Sequence, residues 1–316
     1  MATISSDTDM SLSKSQCSHS DNKDGSKNTE HNLPIVGDRV IEGEGTSQQA
    51  WQNWQGLHDL PRLDISKDFS ADLTSSEPSA VSSNSLSTIA SANYKTAGQP
   101  PRVCIFAPHP DDEILGCAGL LQQLAANGNP LLLVYVTNGT QSHPDSAIYP
   151  PHKLAVIRPN ESLAALEALG IKHQVTSVAL NLQDGQVFEH RHLLHQKLKA
   201  IIQPNDILVT PFEHDGHPDH EATGQVVTAY AKQHSLACYQ ALIWAWHWAK
   251  PADNRIPWQK AVRLELTAEQ LQRKVDAIHC FESQVSADDS TGNPPILSCQ
   301  TIARVSQPWE VYLYES

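Results

Sequence analysis

From Pro101 to the C-terminus, apolar residues fall in short dense runs separated by stretches where they recur every three or four positions, the mixed signature of strands and helices. Arg102-Val103-Cys104-Ile105-Phe106-Ala107 is nearly continuous in apolar character, as in a strand buried on both faces of a parallel sheet. A helix is predicted from about Pro110 to Ala126, with Ile114, Leu115, Ala118, Leu121 and Leu124 along one side and Asn127-Gly128 as its stop. Leu131 to Val136 reads as the next strand, ended by Thr137-Asn138-Gly139. After an irregular stretch from Gln141 to Pro151, a helix is expected from about His152 to Leu169, in which Pro159 must kink or restart the turn pattern. The alternation continues with a strand near Thr176 to Leu180, a helix near His190 to Ile202 and a strand at Asp206 to Thr210. A helix near Pro218 to Gln233 and a strand around Tyr239 to Trp248 complete it. Such alternation predicts an α/β fold, Rossmann-like, with a mostly parallel sheet covered by helices on both faces. In these sheets ligands bind at the carboxyl ends of strands.

Composition divides the chain. Residues 1 to about 97 are dominated by Ser, Asp, Asn, Gln, Thr and Gly and bury too little apolar surface to offset the entropy of ordering, so they read as a disordered polar N-terminal arm. Residues 98–316 then form one folded domain. Within the arm, Trp51-Gln52-Asn53-Trp54-Gln55-Gly56-Leu57 reads either as a short docking helix or as apolar residues tolerated in a flexible segment. A net charge of −13 repels phosphate backbones and anionic lipid surfaces, which disfavours nucleic-acid and membrane partners. No basic and then apolar leader begins the chain and no apolar run is long enough to span a bilayer, so a cytoplasmic protein is expected. The six cysteines are widely spaced without a C-x-x-C pair and read as free thiols.

One construction occurs twice. His109-Pro110-Asp111-Asp112-Glu113 follows the first strand, and His217-Pro218-Asp219-His220-Glu221 follows the strand at Asp206 to Thr210. Each sets a histidine at a strand exit, a proline at the first helical position and acidic or imidazole groups in the first helical turn. Residues three apart at a helix start share a face, so His109 can converge with Asp112 while Asp111 points elsewhere, and His217 with His220. Histidine and carboxylate suit Zn²⁺, although Fe²⁺ and Co²⁺ accept the same donors. Three protein ligands plus water make a hydrolytic zinc, which lowers the pKa of that water towards roughly 7. Acidic residues and proline also suit the start of any helix, so one such turn alone would be evenly balanced between capping and chemistry. Two of them on one edge of the sheet favour a metal.

These motifs resemble the LmbE-like (PIG-L) family of zinc-dependent N-acetylglucosaminyl deacetylases and related amidases. Further landmarks match: Thr137-Asn138-Gly139, Arg158 with Glu161, Leu182-Gln183-Asp184-Gly185, and Lys274 with Ser283-Gln284. The resemblance implies that His109, Asp112 and His220 hold one zinc ion per chain and that Asp111 is the general base acting on the zinc-bound water. His217 would stabilise the oxyanion or protonate the leaving amine, with Asp219 fixing its orientation. Arg158 and Asp184 match positions that contact substrate hydroxyls, although Arg158 could pair with Glu161 and Asp184-Gly185 is an ordinary turn signal.

The expected function is removal of an N-acetyl group from an amino sugar or its conjugate, a small-molecule partner. The alternatives are an amidase acting on another small amide, such as a thiol conjugate, and a non-catalytic metal-binding scaffold that docks a protein through its arm. A nucleotide-binding Rossmann protein is disfavoured, since no G-x-G-x-x-G follows the first strand. Trp244, Trp246 and Trp248 would share one face of a strand, as core packing or as a sugar-stacking stripe. His143, His152 and His214 read as solvent-exposed.

Overall fold

A computed structural model describes residues 39–70 and 99–315. Three short helices come first, α1 (Gln48–Gln52), α2 (Gln55–His58) and α3 (Ile65–Asp68). The alternating part runs β1 (Val103–Ala107), α4 (Asp112–Asn127), β2 (Leu131–Tyr135), α5 (Pro151–Ala168), β3 (Val175–Ala179), α6 (Arg191–Ile201), β4 (Ile207–Pro211), α7 (Pro218–Gln233) and β5 (Cys238–Ala241). Then follow α8 (Ala245–Trp248), β6 (Ala261–Glu265), α9 (Ala268–Ile278), α10 (Glu282–Val285), α11 (Cys299–Val305) and β7 (Trp309–Glu315).

The strands form one seven-stranded sheet in the order β3-β2-β1-β4-β5-β7-β6. Pairing is parallel from β3 to β5 and antiparallel on both sides of β7. The fold is therefore the expected α/β sheet, with an antiparallel edge that the alternation did not predict. Successive β1 residues feed opposite faces: Val103 and Ile105 pack with α4, α5 and α9, while Cys104 and Phe106 pack with α6 and α7. Burial on both faces is why β1, β2 and β4 read as unbroken apolar runs. From β1 the chain winds outward through β2 and β3, then returns to β4 on the other side of β1. That reversal makes the carboxyl ends of β1 and β4 the switch point where a ligand crevice opens.

Two sequence expectations are corrected. Residues 39–70, assigned to a disordered arm, are ordered: Trp51, Leu57, Leu63, Ile65 and Phe69 are all buried in the larger core cluster. The Trp51 indole donates to the carbonyl of Trp246 at 3.0 Å. Backbone bonds from Arg263 N–H to Pro61 O (2.8 Å) and from Leu63 N–H to Arg263 O (2.9 Å) cover the outer edge of β6. The Trp51 to Leu57 segment thus docks on its own domain; residues 1–38 and 71–98 of the expected arm lie outside the described residues. The strand expected through Trp248 stops at Ala241 and gives way to α8, because the Asp215 carboxylate accepts the N–H groups of Ile243, Trp244 and Ala245 at 2.9–3.0 Å and bends the chain. Trp246 and Trp248 are buried, the first against Trp51 and the second bonded to Asp215 O, so they are packing residues. Pro159 lies inside a single α5 and does not restart it. Among the described residues, no helix is long and apolar enough to cross a membrane.

Candidate metal centre

Both His-Pro-Asp turns lie at the switch point. After β1, Pro108 O accepts from the N–H and the hydroxyl of Thr137, at 3.0 and 2.9 Å, which ties the β1 exit to the β2 exit. Asp111 then takes φ 136°, a backbone region that side chains avoid, and gives no side-chain cap to α4. Neighbours hold it there: its N–H donates to Glu113 Oε2 (3.0 Å), and Arg158 donates to its Oδ2 (2.8 Å) and to Pro110 O (2.6 Å). Arg158 also reaches Gly139 O (2.9 Å), on the β2 exit loop. The turn is therefore a braced, strained junction whose carboxylate is kept off the helix terminus it would ordinarily cap.

Two of the expected ligands, His109 and His220, both approach the third, Asp112. Asp112 Oδ2 lies 3.3 Å from His109 Nδ1 and 3.2 Å from His220 Nε2. It also accepts the His109 backbone N–H at 2.9 Å. Zinc bonds of about 2.0–2.1 Å at a tetrahedral angle would space neighbouring ligand atoms by about 3.3 Å, and the two Asp112–imidazole separations match that spacing. Behind each imidazole stands a carboxylate. His220 Nδ1 faces Asp215 Oδ2 at 2.9 Å, and His109 Nε2 faces Asp184 Oδ1 at 3.1 Å and Asp219 Oδ2 at 3.3 Å. A carboxylate on the far nitrogen keeps the proton there and leaves the near nitrogen's lone pair for a cation. Among the described residues, two groups have ligand-capable atoms all within 4.8 Å of one another: His109, His217 and His220, and His109, Asp184 and Asp219; His217 joins the two imidazoles there, and Asp112 stands outside both groups.

The electrostatics fit a pocket built around positive charge. Burial opposes it, yet Asp112 and Asp215 raise His220 to about 9. Burial would also push Asp112 up, but His220 and His109 hold it well below the usual carboxylate range. Burial lifts Asp111 to about 7, with Arg158 opposing the shift. For His217, burial followed by the neighbouring imidazoles His109 and His220 lowers it to about 3.

Other predicted residues are engaged differently from expectation. Asp219 touches His217 through its backbone N–H, which donates to His217 Nδ1 at 3.2 Å; its carboxylate instead accepts from Gly185 N–H (2.8 Å) and Val187 N–H (3.1 Å) and faces His109. Arg158 does not pair with Glu161, which accepts from the N–H and hydroxyl of Ser283, both at 2.7 Å. Asp184 is more than a turn residue: besides His109 it accepts Gln141 N–H at 2.6 Å. His143 is buried, with Ser142 Oγ 2.9 Å from its Nδ1 and its ring against Tyr149, whereas His152 and His214 are exposed. Sequence reasoning gave no role to Asp215 and Glu113. Glu113 closes the first motif and Asp215 stands two residues before the second, and their burial is what marks them.

Residues 104–231 match the family model described as PIG-L, GlcNAc-PI de-N-acetylase. A probable N-acetyl-alpha-D-glucosaminyl L-malate deacetylase of Bacillus cereus is 32% identical over 131 residues, 40% of this chain and 58% of that protein. The diacetylchitobiose deacetylase of Thermococcus kodakarensis is 28% identical over 127 residues, 39% of this chain and 46% of that protein. The chain thus spans about half the length of the curated relatives it matches. A crystal structure of a deacetylase from teicoplanin biosynthesis shares the fold, with a TM-score of 0.51 at 18% identity over 67% of this chain and 97% of that one.

Proposed function

With the match to the PIG-L family model as premise, we propose that this protein is a zinc-dependent hydrolase that removes an N-acetyl group from an amino sugar or its conjugate. The observation that carries the reading is Asp112 Oδ2, set 3.3 and 3.2 Å from nitrogens of His109 and His220 that belong to the two separate turns. Bound by those three residues, zinc would polarise the acetyl carbonyl and acidify water enough for attack at neutral pH. Asp111 takes the proton from the attacking water; its carboxylate is next to the ligands, and Arg158 fixes its direction. His217 accepts the Asp219 N–H at Nδ1, which leaves Nε2 to carry the ring proton. That N–H would stabilise the oxyanion, and as a neutral ring His217 could serve the departing amine only by relaying the proton that Asp111 took from the water. Asp184 and Arg158 form the polar wall that meets the sugar hydroxyls, each held by its protein contacts.

The deacetylase names of the relatives support the substrate class, and the net charge of −13 supports a small-molecule partner over nucleic acid or membrane. Acetate release from a panel of acetylated amino sugars, set against thiol-conjugate amides, tests the reading. Preference for the sugars is expected. Turnover of thiol conjugates alone would move the protein to the amidase reading, and metal-loaded protein inert on every acylated substrate would overturn hydrolysis.

A further inference from the structure

The turn that carries His217 is tied down from an unexpected direction. Glu221, one residue past His220, is almost buried, with its side chain 8% exposed. Its Oε1 accepts the Gly216 N–H at 3.1 Å, joining the first turn of α7 to the residue just before His217. The same oxygen accepts from Arg39 Nε at 3.0 Å, across 182 residues of sequence. Gly216 has φ +98°, and a Cβ there would come within 3.2 Å of Arg39 O and 2.9 Å of the Trp248 ring. The segment leading on from Arg39 is anchored over α8: His247 Nε2 is 3.1 Å from Glu42 O, Thr46 N–H donates to His247 O at 2.8 Å, and Arg304 donates to Glu44 O at 2.7 Å.

We propose that Arg39 is a positioning residue for the metal centre: it supplies the counter-charge to Glu221 and so fixes the Gly216-His217 turn. A carboxylate this buried, left without its guanidinium, must move towards water, and that movement loosens the Gly216 bond. Arg39 acts through Glu221 and needs no contact with substrate. Its catalytic consequence rests on the deacetylase reading, but its effect on the turn does not.

The experiment compares Arg39→Ala, Arg39→Lys, Glu221→Gln and the double variant Arg39→Ala/Glu221→Gln in the full chain. Hydrogen exchange over residues 214–222 is read beside kcat, KM and zinc affinity. Arg39→Ala is expected to speed exchange in that peptide and to lower kcat about tenfold with little change in KM. Lysine should restore part of both effects. The double variant should lose no more than Arg39→Ala alone, since a neutral amide in place of the Glu221 carboxylate needs no counter-charge. Exchange in Arg39→Ala equal to that of the unaltered chain would overturn the proposal. Faster exchange in a chain that turns over no acylated substrate would sustain the positioning role and defeat the deacetylase reading instead.

Discussion

Replacing Trp51 with alanine tests whether the segment ahead of the sheet is part of the folded unit. The indole is 2% exposed, bonds the Trp246 carbonyl at 3.0 Å and has the Trp246 ring 5.0 Å and the Trp258 ring 6.1 Å from its own. Truncating a core tryptophan removes its burial and leaves a cavity, about 3–5 kcal/mol together. Loss of the donor to a buried carbonyl falls within that range or adds about 1 kcal/mol. For a domain of this size each kcal/mol lowers the melting temperature by about 2–4 °C. Trp51→Ala should therefore lower it by about 6–20 °C in a circular-dichroism melt. Trp51→Phe keeps a ring and loses only the donor and part of the area, so it should cost about 1–2 kcal/mol. A fall below about 2 °C for the alanine variant would show that the segment contributes nothing to stability. The composition-based reading of a disordered arm would then stand after all.

Other variants separate the groups around the site. Asp215→Asn should weaken zinc binding by about 10- to 100-fold, because His220 loses the carboxylate that orients it; unaltered affinity in a chelator competition would refute that support. Asp111→Asn should keep its metal and lose about 10²- to 10⁴-fold in kcat, and retained turnover would remove Asp111 from the base role. Lys274→Met leaves Glu310 buried without its partner at 2.7 Å and should cost about 3–5 kcal/mol in denaturant melts, with no loss of metal. A cost near zero would mean that the N–H groups of Gly119 and Leu120 and the Tyr312 hydroxyl suffice to hold that carboxylate.

The parallel core was legible because β1, β2 and β4 are buried on both faces and leave continuous apolar runs. The helices α4 and α7 were legible because each opens with a proline or acidic turn and shows a helical period. What failed was non-local. Trp51, Leu57, Leu63, Ile65 and Phe69 are five apolar side chains spread through polar sequence, and what buries them lies in β5, β6 and α8. No local window weighs a partner that distant. The helical turn at Trp244 to Trp248 is set by Asp215, more than two dozen positions earlier. In the site, spacing along a helix start placed His109 with Asp112, but it could not tell which Asp219 atom reaches His217. Nor could it show that Arg158 turns towards Asp111. Those contacts depend on how neighbouring strand exits meet, which the sequence does not encode locally.

The central claim is that the two His-Pro-Asp turns grip one cation. Metal content by plasma mass spectrometry, after dialysis of the unaltered chain and of His109→Ala, Asp112→Ala and His220→Ala against trace zinc, tests it most directly. About one zinc per unaltered chain is expected, falling towards zero in each variant while circular dichroism shows the fold retained. Zinc retained in full by the Asp112→Ala and His220→Ala chains would contradict it.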